Sequence, residues 1–129
     1  MLNDTLATAL SKIQNFEKIG RKECLVMPVS KTIKKVLELF NMHGYMGQAE
    51  LASEARGGAL KVHLLGKINK CGVIKPRFAV TMQEYEKFEK RYLPAKNVGM
   101  LIVSTSHGMM THEEAKKHNY GGRLVAYCY

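Results

Sequence analysis

Three adjacent hydroxyl-bearing residues, Ser104, Thr105 and Ser106, stand between an apolar run and a glycine in this chain of 129 residues. Hydroxyl groups both donate and accept hydrogen bonds, so they suit phosphate oxygens, sugar hydroxyls and base edges. The preceding residues, Met100–Val103, are continuously apolar, which is typical of a strand covered on both faces. The pattern therefore predicts a rigid strand that holds small polar groups at an exposed end.

A turn and a helix are predicted directly after the hydroxyls. His107 and Gly108 have turn character, and Thr111 stands three residues before Glu114, which is the spacing of a capping box. The methionines at 109–110 are expected to pack beneath the hydroxyl loop. A histidine beside three hydroxyls also allows a second interpretation, a small cytosolic enzyme that uses this Ser/His-rich loop.

Catalytic chemistry finds weak support in the sequence. A hydrolase nucleophile elbow requires glycine two residues before and after the serine, and this signature is absent around Ser106. His112, Glu113 and Glu114 have the right chemistry for acid–base partners, but their simpler role is to cap and cover a helix. We therefore expect no catalytic residues and treat the enzyme as the alternative hypothesis.

Metal and cofactor sites are not expected either. His112 and His118 are six residues apart, which does not place them on one helix face. The three cysteines, Cys24, Cys71 and Cys128, lack the spacing of zinc ligands. They are predicted to be reduced, buried thiols of a cytosolic protein. A glycine-rich nucleotide-binding loop is also absent from the sequence.

The net charge of +9 favours a polyanionic partner such as nucleic acid, although a merely soluble basic protein is the other interpretation. Residues 67–129 carry a net charge of +6, against +3 for residues 1–66. The more basic half therefore contains the hydroxyls. An apolar run of about 18 residues, which a membrane span requires, is absent, so no membrane partner is expected.

The hydrophobic periodicity predicts an α+β protein made of two small lobes, residues 1–66 and 67–129. The first lobe is an α/β layer with the order helix, strand, helix, strand, strand. Its elements are a helix capped by Asn3 or Asp4 that runs to Ile19, a strand Glu23–Met27 closed by Pro28, a helix from Ser30 to His43, and two strands, Tyr45–Ala52 and Ala59–Leu65, joined by the turn Ser53–Gly58.

The second lobe is predicted to be mostly β with short helices. Residues Val73–Val80 contain Pro76, so they form either a broken hairpin or an edge strand. Thr81 caps a helix whose aromatic face belongs to the core rather than to a base-stacking platform. That face consists of Tyr85, Phe88 and Tyr92, and the lobe ends with a strand Arg123–Tyr129 after two glycines.

Basic residues outside the hydroxyl loop also suggest anion contacts. Lys31 and Lys34 lie in the first turns after Ser30, where cations oppose the helix dipole, so a bound anion would explain them. A solvated basic face is the alternative interpretation. Arg77, beside Pro76, is exposed by pattern and within reach of a phosphate, and a solvated arginine is equally consistent with the sequence.

The stretch from Gly99 to Lys116 resembles the signature of the universal small-subunit ribosomal protein eight family, called fifteen-a in eukaryotes. That signature has glycines, pairs of aliphatic residues, two hydroxyl-bearing residues, a small residue and a basic residue at fixed spacings. This sequence matches every fixed position. The matching residues are Gly99, Ile102, Val103, Ser104, Thr105, Gly108, Met109, Met110, Ala115 and Lys116. The segments 66–80 and 85–97 resemble the archaeal and eukaryotic branch.

The resemblance implies a cytoplasmic constituent of the small ribosomal subunit that binds the central domain of its rRNA early in assembly, beside neighbouring ribosomal proteins. It implies RNA contacts by Ser104–Ser106 in the second lobe and by Ser30 and Lys31 in the first. Neither a cofactor nor a homo-oligomer is expected. Bacterial members often have glutamate after the paired glycines; here it is Arg123, so an acidic role is not transferred.

Overall fold

The computed structural model describes residues 5–26, 30–53, 58–75, 77–95 and 98–129. The chain combines helices with antiparallel sheets, which confirms the predicted α+β class. Its backbone divides into two compact units, Met1–Cys71 and Gly72–Tyr129. The division thus follows Cys71, whereas the sequence predicts a boundary after Gly66.

The first unit contains the predicted order of elements. Its helices and strands are α1 Thr5–Ile19, β1 Glu23–Val26, α2 Lys31–Met42, β2 Met46–Ser53 and β3 Ala59–Leu64. The predicted cap at Asn3 or Asp4, the closing Pro28 and residues 54–57 of the predicted turn lie outside the described residues.

A three-stranded antiparallel sheet forms one layer of the first unit, with the order β1-β3-β2. Buried residues recur at every second position, Cys24 and Val26 in β1 and Leu60, Val62 and Leu64 in β3, while Lys61 and His63 are only partly covered. Helix α1 packs on β1 and helix α2 packs on β2. The helices bury their predicted apolar stripes because residues three and four apart share one face. These stripes include Leu6, Leu10 and Ile13 of α1, and Ile33, Val36, Leu37 and Phe40 of α2.

The connector after β3 belongs to the first unit because α1 holds its backbone. The Glu17 carboxylate accepts hydrogen bonds from the backbone N–H groups of Gly66, at 3.2 Å, and Ile68, at 3.0 Å. The Gln14 side-chain oxygen accepts one from the Cys71 N–H at 3.3 Å. These contacts join residues that are 49 to 57 positions apart in sequence, so local composition does not reveal them, which explains the later boundary.

The second unit is mostly β with two short helices, as predicted. It contains β4 Cys71–Val73, β5 Ala79–Val80, α3 Tyr85–Tyr92, β6 Met100–Thr105, β7 Gly108–Thr111, α4 His112–Lys117 and β8 Gly122–Cys128, and β4 begins at the last residue of the first unit. The sheet order is β4-β8-β6-β7, and β5 also pairs with β8. Strand β7 was not predicted from the sequence.

The structure of the second unit decides between the two predictions for residues 73–80 and shows where the aromatic face of α3 lies. Strands β4 and β5 lie one after the other along β8, so residues 73–80 form an interrupted edge strand rather than a hairpin. Tyr85 and Phe88 are buried in the core of the unit, and Tyr92 packs against that core, which confirms the core interpretation of the aromatic face. The part of this segment at Pro76 lies outside the described residues.

Candidate nucleic-acid interface

Strand β6 places the predicted hydroxyls at the end of a fully covered strand. Met100–Val103 are buried, and the strand lies between β8 and β7 in the sheet. Exposure begins at Ser104, and Ser106 is exposed in the turn that follows. Among the described residues, the side-chain hydroxyls of Ser104 and Ser106 have no hydrogen-bond partner. Both groups are therefore available to an external ligand.

Thr105 is used differently from its two neighbours. Its hydroxyl donates a hydrogen bond to the Gly108 carbonyl oxygen at 2.8 Å and accepts one from the His107 N–H at 3.1 Å. Gly108 has a φ of +107°, a conformation that residues with a Cβ rarely adopt. The Thr105 hydroxyl and Gly108 together fix the two-residue turn Ser106–His107.

The residues after the turn return as strand β7 instead of forming a loop. Met109 pairs with Ser104, and Met110 pairs with Val103 and packs against the core. The expectation that both methionines lie beneath the hydroxyl loop is therefore wrong. The physical reason is that the backbone groups on the side of β6 away from β8 would otherwise be unpaired. Strand β7 satisfies them as a hairpin partner.

An exposed row crosses the end of this sheet. Ala79 of β5 is opposite Arg123 of β8, Arg123 is opposite Ser104 of β6, and Ser104 is opposite Met109 of β7. Residues directly opposite each other in antiparallel strands share one face. Three of the four residues are exposed and Met109 is half-buried. The row therefore places an exposed arginine and a residue with a free hydroxyl opposite each other on one face.

Arg123 is a candidate contact residue that sequence reasoning did not identify. In the sequence, Arg123 stands out only because it departs from the family pattern. It lies 19 positions after Ser104, so the sequence gives no reason to place the two residues together. The signal available in the sequence was the apolar Leu124 directly after Arg123. Successive side chains of a strand point to opposite faces, so a buried Leu124 places Arg123 on the outer face. The neighbouring strand itself was not deducible, because pairing register depends on tertiary contacts.

Two glycines allow the strands beneath the exposed row to approach closely. A Cβ on Gly122 would stand 2.3 Å from the Ser104 carbonyl oxygen, and one on Gly121 would stand 2.8 Å from the Val80 carbonyl oxygen. Contacts below 3.0 Å with backbone atoms leave no room for any side chain. The paired glycines therefore position Ser104 and the start of β8.

His112, which was considered as a catalytic base, is instead a buried connecting residue, only 4% exposed. Its Nδ1 accepts a hydrogen bond from the Leu101 N–H at 3.0 Å, and its Nε2 lies 3.2 Å from the Glu89 carboxylate. The ammonium group of Lys116 binds the same carboxylate. Burial lowers the pKa of His112 from its ordinary value, so the imidazole is neutral at pH 7.

The other histidines near the loop have aromatic rather than catalytic neighbours. The His107 ring lies 4.2 Å from the Tyr120 ring, centroid to centroid, with an angle of 17° between the planes. His118 lies 5.4 Å from the same Tyr120 ring with an angle of 21°. We call these three residues the ring stack. Since His107 stacks on tyrosine and His112 is buried, the described contacts contain no serine–histidine pair.

The predicted contact residues of the first unit lie at the beginning of α2. Ser30 caps the helix, and its side-chain oxygen accepts a hydrogen bond from the Ile33 N–H at 3.2 Å. Lys31 and Lys34 are exposed, and neither has an ion-pair partner among the described residues. Lys35 differs, because it lies 3.8 Å from the Glu38 carboxylate. The first turn contains no acidic residue, so no side-chain carboxylate there neutralises the positive end of the helix dipole.

Arg77 lies in the second unit, two residues before Ala79 of the exposed row, and its side chain is exposed. Its neighbour Phe78 is covered by the guanidinium of Arg91, 5.3 Å from the ring centroid. The second unit therefore contains Ser104, Thr105, Ser106, Arg123 and Arg77. Ser30, Lys31 and Lys34 form a separate set on the first unit.

In the described ranges, no group of three histidine, cysteine or acidic side chains is arranged to hold a metal ion. Helices long and apolar enough to cross a membrane are not found among the described residues.

The three cysteines are free and buried, as predicted. Burial raises the pKa of the Cys71 thiol to about 12, and this thiol donates to the Leu10 carbonyl oxygen at 3.5 Å.

A basic α+β chain with free hydroxyls and an arginine at the exposed end of a rigid sheet belongs to the class of nucleic-acid-binding proteins. Residues 4–129 match the family profile described as ribosomal protein S8, so the chain belongs to the ribosomal protein S8 family. Members of this family are rRNA-binding structural proteins of the small ribosomal subunit that serve translation, and the family is not one of enzymes. The resemblance to this family is thereby confirmed, and the family match gives no support to the enzyme alternative.

Proposed function

We propose that this chain binds the central domain of small-subunit rRNA and supports assembly of the subunit in the cytoplasm. The observation that carries the proposal is the exposed row, in which Ser104, with its free hydroxyl, is the register partner of the exposed Arg123. The major groove of a regular A-form helix is closed to side chains, so sequence is recognised where the helix is irregular. A rigid strand end with small polar groups fits such a site.

The proposed contacts differ in kind. Ser104 and Ser106 donate and accept hydrogen bonds at base edges or 2′-hydroxyls, while Thr105 shapes the turn between them. Arg123 and the exposed Arg77 neutralise phosphates, which supplies affinity without sequence preference. A second set of phosphate contacts comes from Lys31 and Lys34, with Ser30 capping the same helix end.

The proposed partners are the rRNA and neighbouring small-subunit ribosomal proteins, with no cofactor and no homo-oligomer. The segments 66–80 and 85–97 support placement in the archaeal and eukaryotic branch of the family. The basic connector in the first of these segments is tied to α1 by Glu17, which keeps its backbone ordered.

The salt dependence of binding tests the proposal. The full chain should bind a transcript of the central domain with an affinity that falls as salt rises. If about five phosphates are contacted, log affinity against log salt should have a slope of roughly −3 to −5. A transcript of another domain of the same rRNA serves as the control and should bind much more weakly. Equal binding to both transcripts, or a flat salt response, would contradict the proposal.

Single substitutions separate the two kinds of contact. Arg123→Ala and Lys31→Ala should each reduce the steepness of the salt slope by about one and weaken binding to all RNAs similarly. Ser104→Ala should leave the slope unchanged and reduce only the preference for the central domain, by roughly five- to 150-fold. Lys22→Ala removes an exposed lysine outside both sets and is the matched control. The assignment fails if Ser104→Ala changes the slope and Arg123→Ala does not.

A further inference from the structure

The ring stack presents an exposed aromatic surface next to the free hydroxyls. His107 lies in the turn between β6 and β7, directly after Ser106, and its side chain is exposed. Tyr120, which precedes the paired glycines, is half-buried and nearly parallel to the imidazole of His107. The His107 ring is thus exposed and at the same time supported by a second, nearly parallel ring.

Tyr120 is fixed by its own backbone. Its N–H donates to the Ala115 carbonyl oxygen at 2.8 Å, which closes the end of α4. Its carbonyl oxygen accepts a hydrogen bond from the Tyr85 hydroxyl at 2.8 Å, and Tyr85 is fully buried. The ring under His107 is therefore positioned before any ligand arrives, which reduces the ordering cost of binding.

We propose that the exposed imidazole of His107, supported by Tyr120, receives one unpaired RNA base by stacking; this rests on the proposed function and names a base-stacking position within it. Unstacked bases of RNA are held on aromatic side chains, including histidine, and such contacts tolerate any base because each has a π-face. The hydroxyl of Ser106, one residue before His107, is placed to bind the sugar or edge of the same nucleotide.

Positive charge around the ring stack favours a nucleotide over an acidic or apolar ligand. Lys117 precedes His118 directly, and Arg123 follows Tyr120 by three residues; both side chains are exposed. A stacked base brings its phosphate with it, and these cations are close in sequence to two of the three rings, His118 and Tyr120. The arrangement thus pairs an aromatic surface with basic groups, as nucleic-acid-binding surfaces do.

Two variants of His107 separate stacking from hydrogen bonding. His107→Phe keeps a ring and removes the nitrogens, so it should bind the central-domain transcript about as tightly as the natural chain. His107→Asn keeps polar groups and removes the ring, so its affinity should fall roughly five- to 150-fold. His43→Ala, an exposed histidine of the first unit, is the matched control and should bind normally.

Fluorescence provides a direct readout. Unpaired adenines of the transcript are replaced, one at a time, by 2-aminopurine, whose emission is quenched on stacking. At one position, the natural chain and His107→Phe should quench the probe, while His107→Asn should not. Melting temperatures of both variants are measured in parallel, and they should stay close to that of the natural chain.

The outcomes distinguish this inference from the proposed function. If the natural chain binds with the expected salt dependence but His107→Asn binds equally well, the stacking position is wrong and the RNA-binding proposal stands. If His107→Phe loses affinity as His107→Asn does, the imidazole acts through its nitrogens and stacking is again refuted. If His107→Asn loses affinity only through a lowered melting temperature, the ring stack is purely structural. If the natural chain does not bind the transcript, both proposals fail.

Discussion

Gly122→Ala is expected to lower the free energy of unfolding by about 3 kcal/mol or more, because the new methyl group has no space. It would stand 2.3 Å from the carbonyl oxygen of Ser104 and 3.0 Å from the carbonyl carbon of the same residue. These are backbone atoms at the end of β6, so no side-chain rotation relieves the overlap. Thermal melting should show a decrease of roughly 10 °C.

Gly72→Ala is the matched control in the same sheet. Its methyl group would meet the Tyr127 side chain, with the hydroxyl oxygen at 3.1 Å, and a small movement of that ring relieves the contact. The expected cost is below about 1 kcal/mol. Because Gly122→Ala displaces Ser104, the molecules that remain folded should also bind rRNA more weakly. A Gly122→Ala protein that melts with the natural chain would show that β8 has room to move.

His112→Ala is the second substitution with a large expected effect, a loss of about 3–5 kcal/mol of stability. It would leave the Leu101 N–H without its acceptor inside the sheet, and it would remove one of the two groups that bind the Glu89 carboxylate. The removed imidazole also leaves a cavity. Urea unfolding measures the loss, and His43→Ala, at an exposed position, should cost less than about 0.5 kcal/mol.

The dependence of stability on pH provides a second measurement of the same residue. Burial lowers the pKa of His112 below its ordinary 6.5 and outweighs the opposing attraction of the Glu89 carboxylate. A proton therefore binds the unfolded chain more tightly than the folded one, so this contribution to stability is complete above pH 6.5. It should decrease as the pH falls below that value, and His112→Ala should lack this decrease. Equal pH profiles for both proteins would contradict the assignment.

The elements whose cause is local were predictable from the sequence. Helix α2 has a serine cap, an apolar stripe and a glycine soon after its end, and it begins and ends within one residue of its predicted bounds. Strand β6 was evident from its continuous apolar run, which continues into the hydroxyls. These signals depend on side-chain periodicity within ten or so residues, and that information is contained in the chain itself.

The missed elements depend on partners distant in sequence or on weak turn chemistry. Two-residue hairpins are usually marked by Asn-Gly or Asp-Gly, and here the turn is Ser106–His107. Regular alternation along β8 would place Val125 on the same face as the exposed Arg123. Val125 is instead buried, because a bulge opposite Ile102 and Val103 inserts one extra residue there. Periodicity alone does not reveal a bulge.

The candidate site could also be predicted from the sequence only in part. The sequence predicts RNA contacts for all three of Ser104, Thr105 and Ser106, because hydroxyl groups are suited to RNA. The Thr105 hydroxyl is already bonded to Gly108 and His107, so its role in the proposed site is to shape the turn. Only the strand register separates a hydroxyl that holds the loop from one that remains free, and register is a property of the assembled sheet.

The short outer strands of the second unit have a consequence for the chain before it meets RNA. An open strand edge is a template for pairing with another copy, and such pairing leads to aggregation. Here the outer strands β4, β5 and β7 have three, two and four residues, whereas the apolar strands β6 and β8, with six and seven, are interior. In the second unit, the longer apolar strands are thus covered by short neighbours, which limits edge-to-edge pairing while the protein is free in solution.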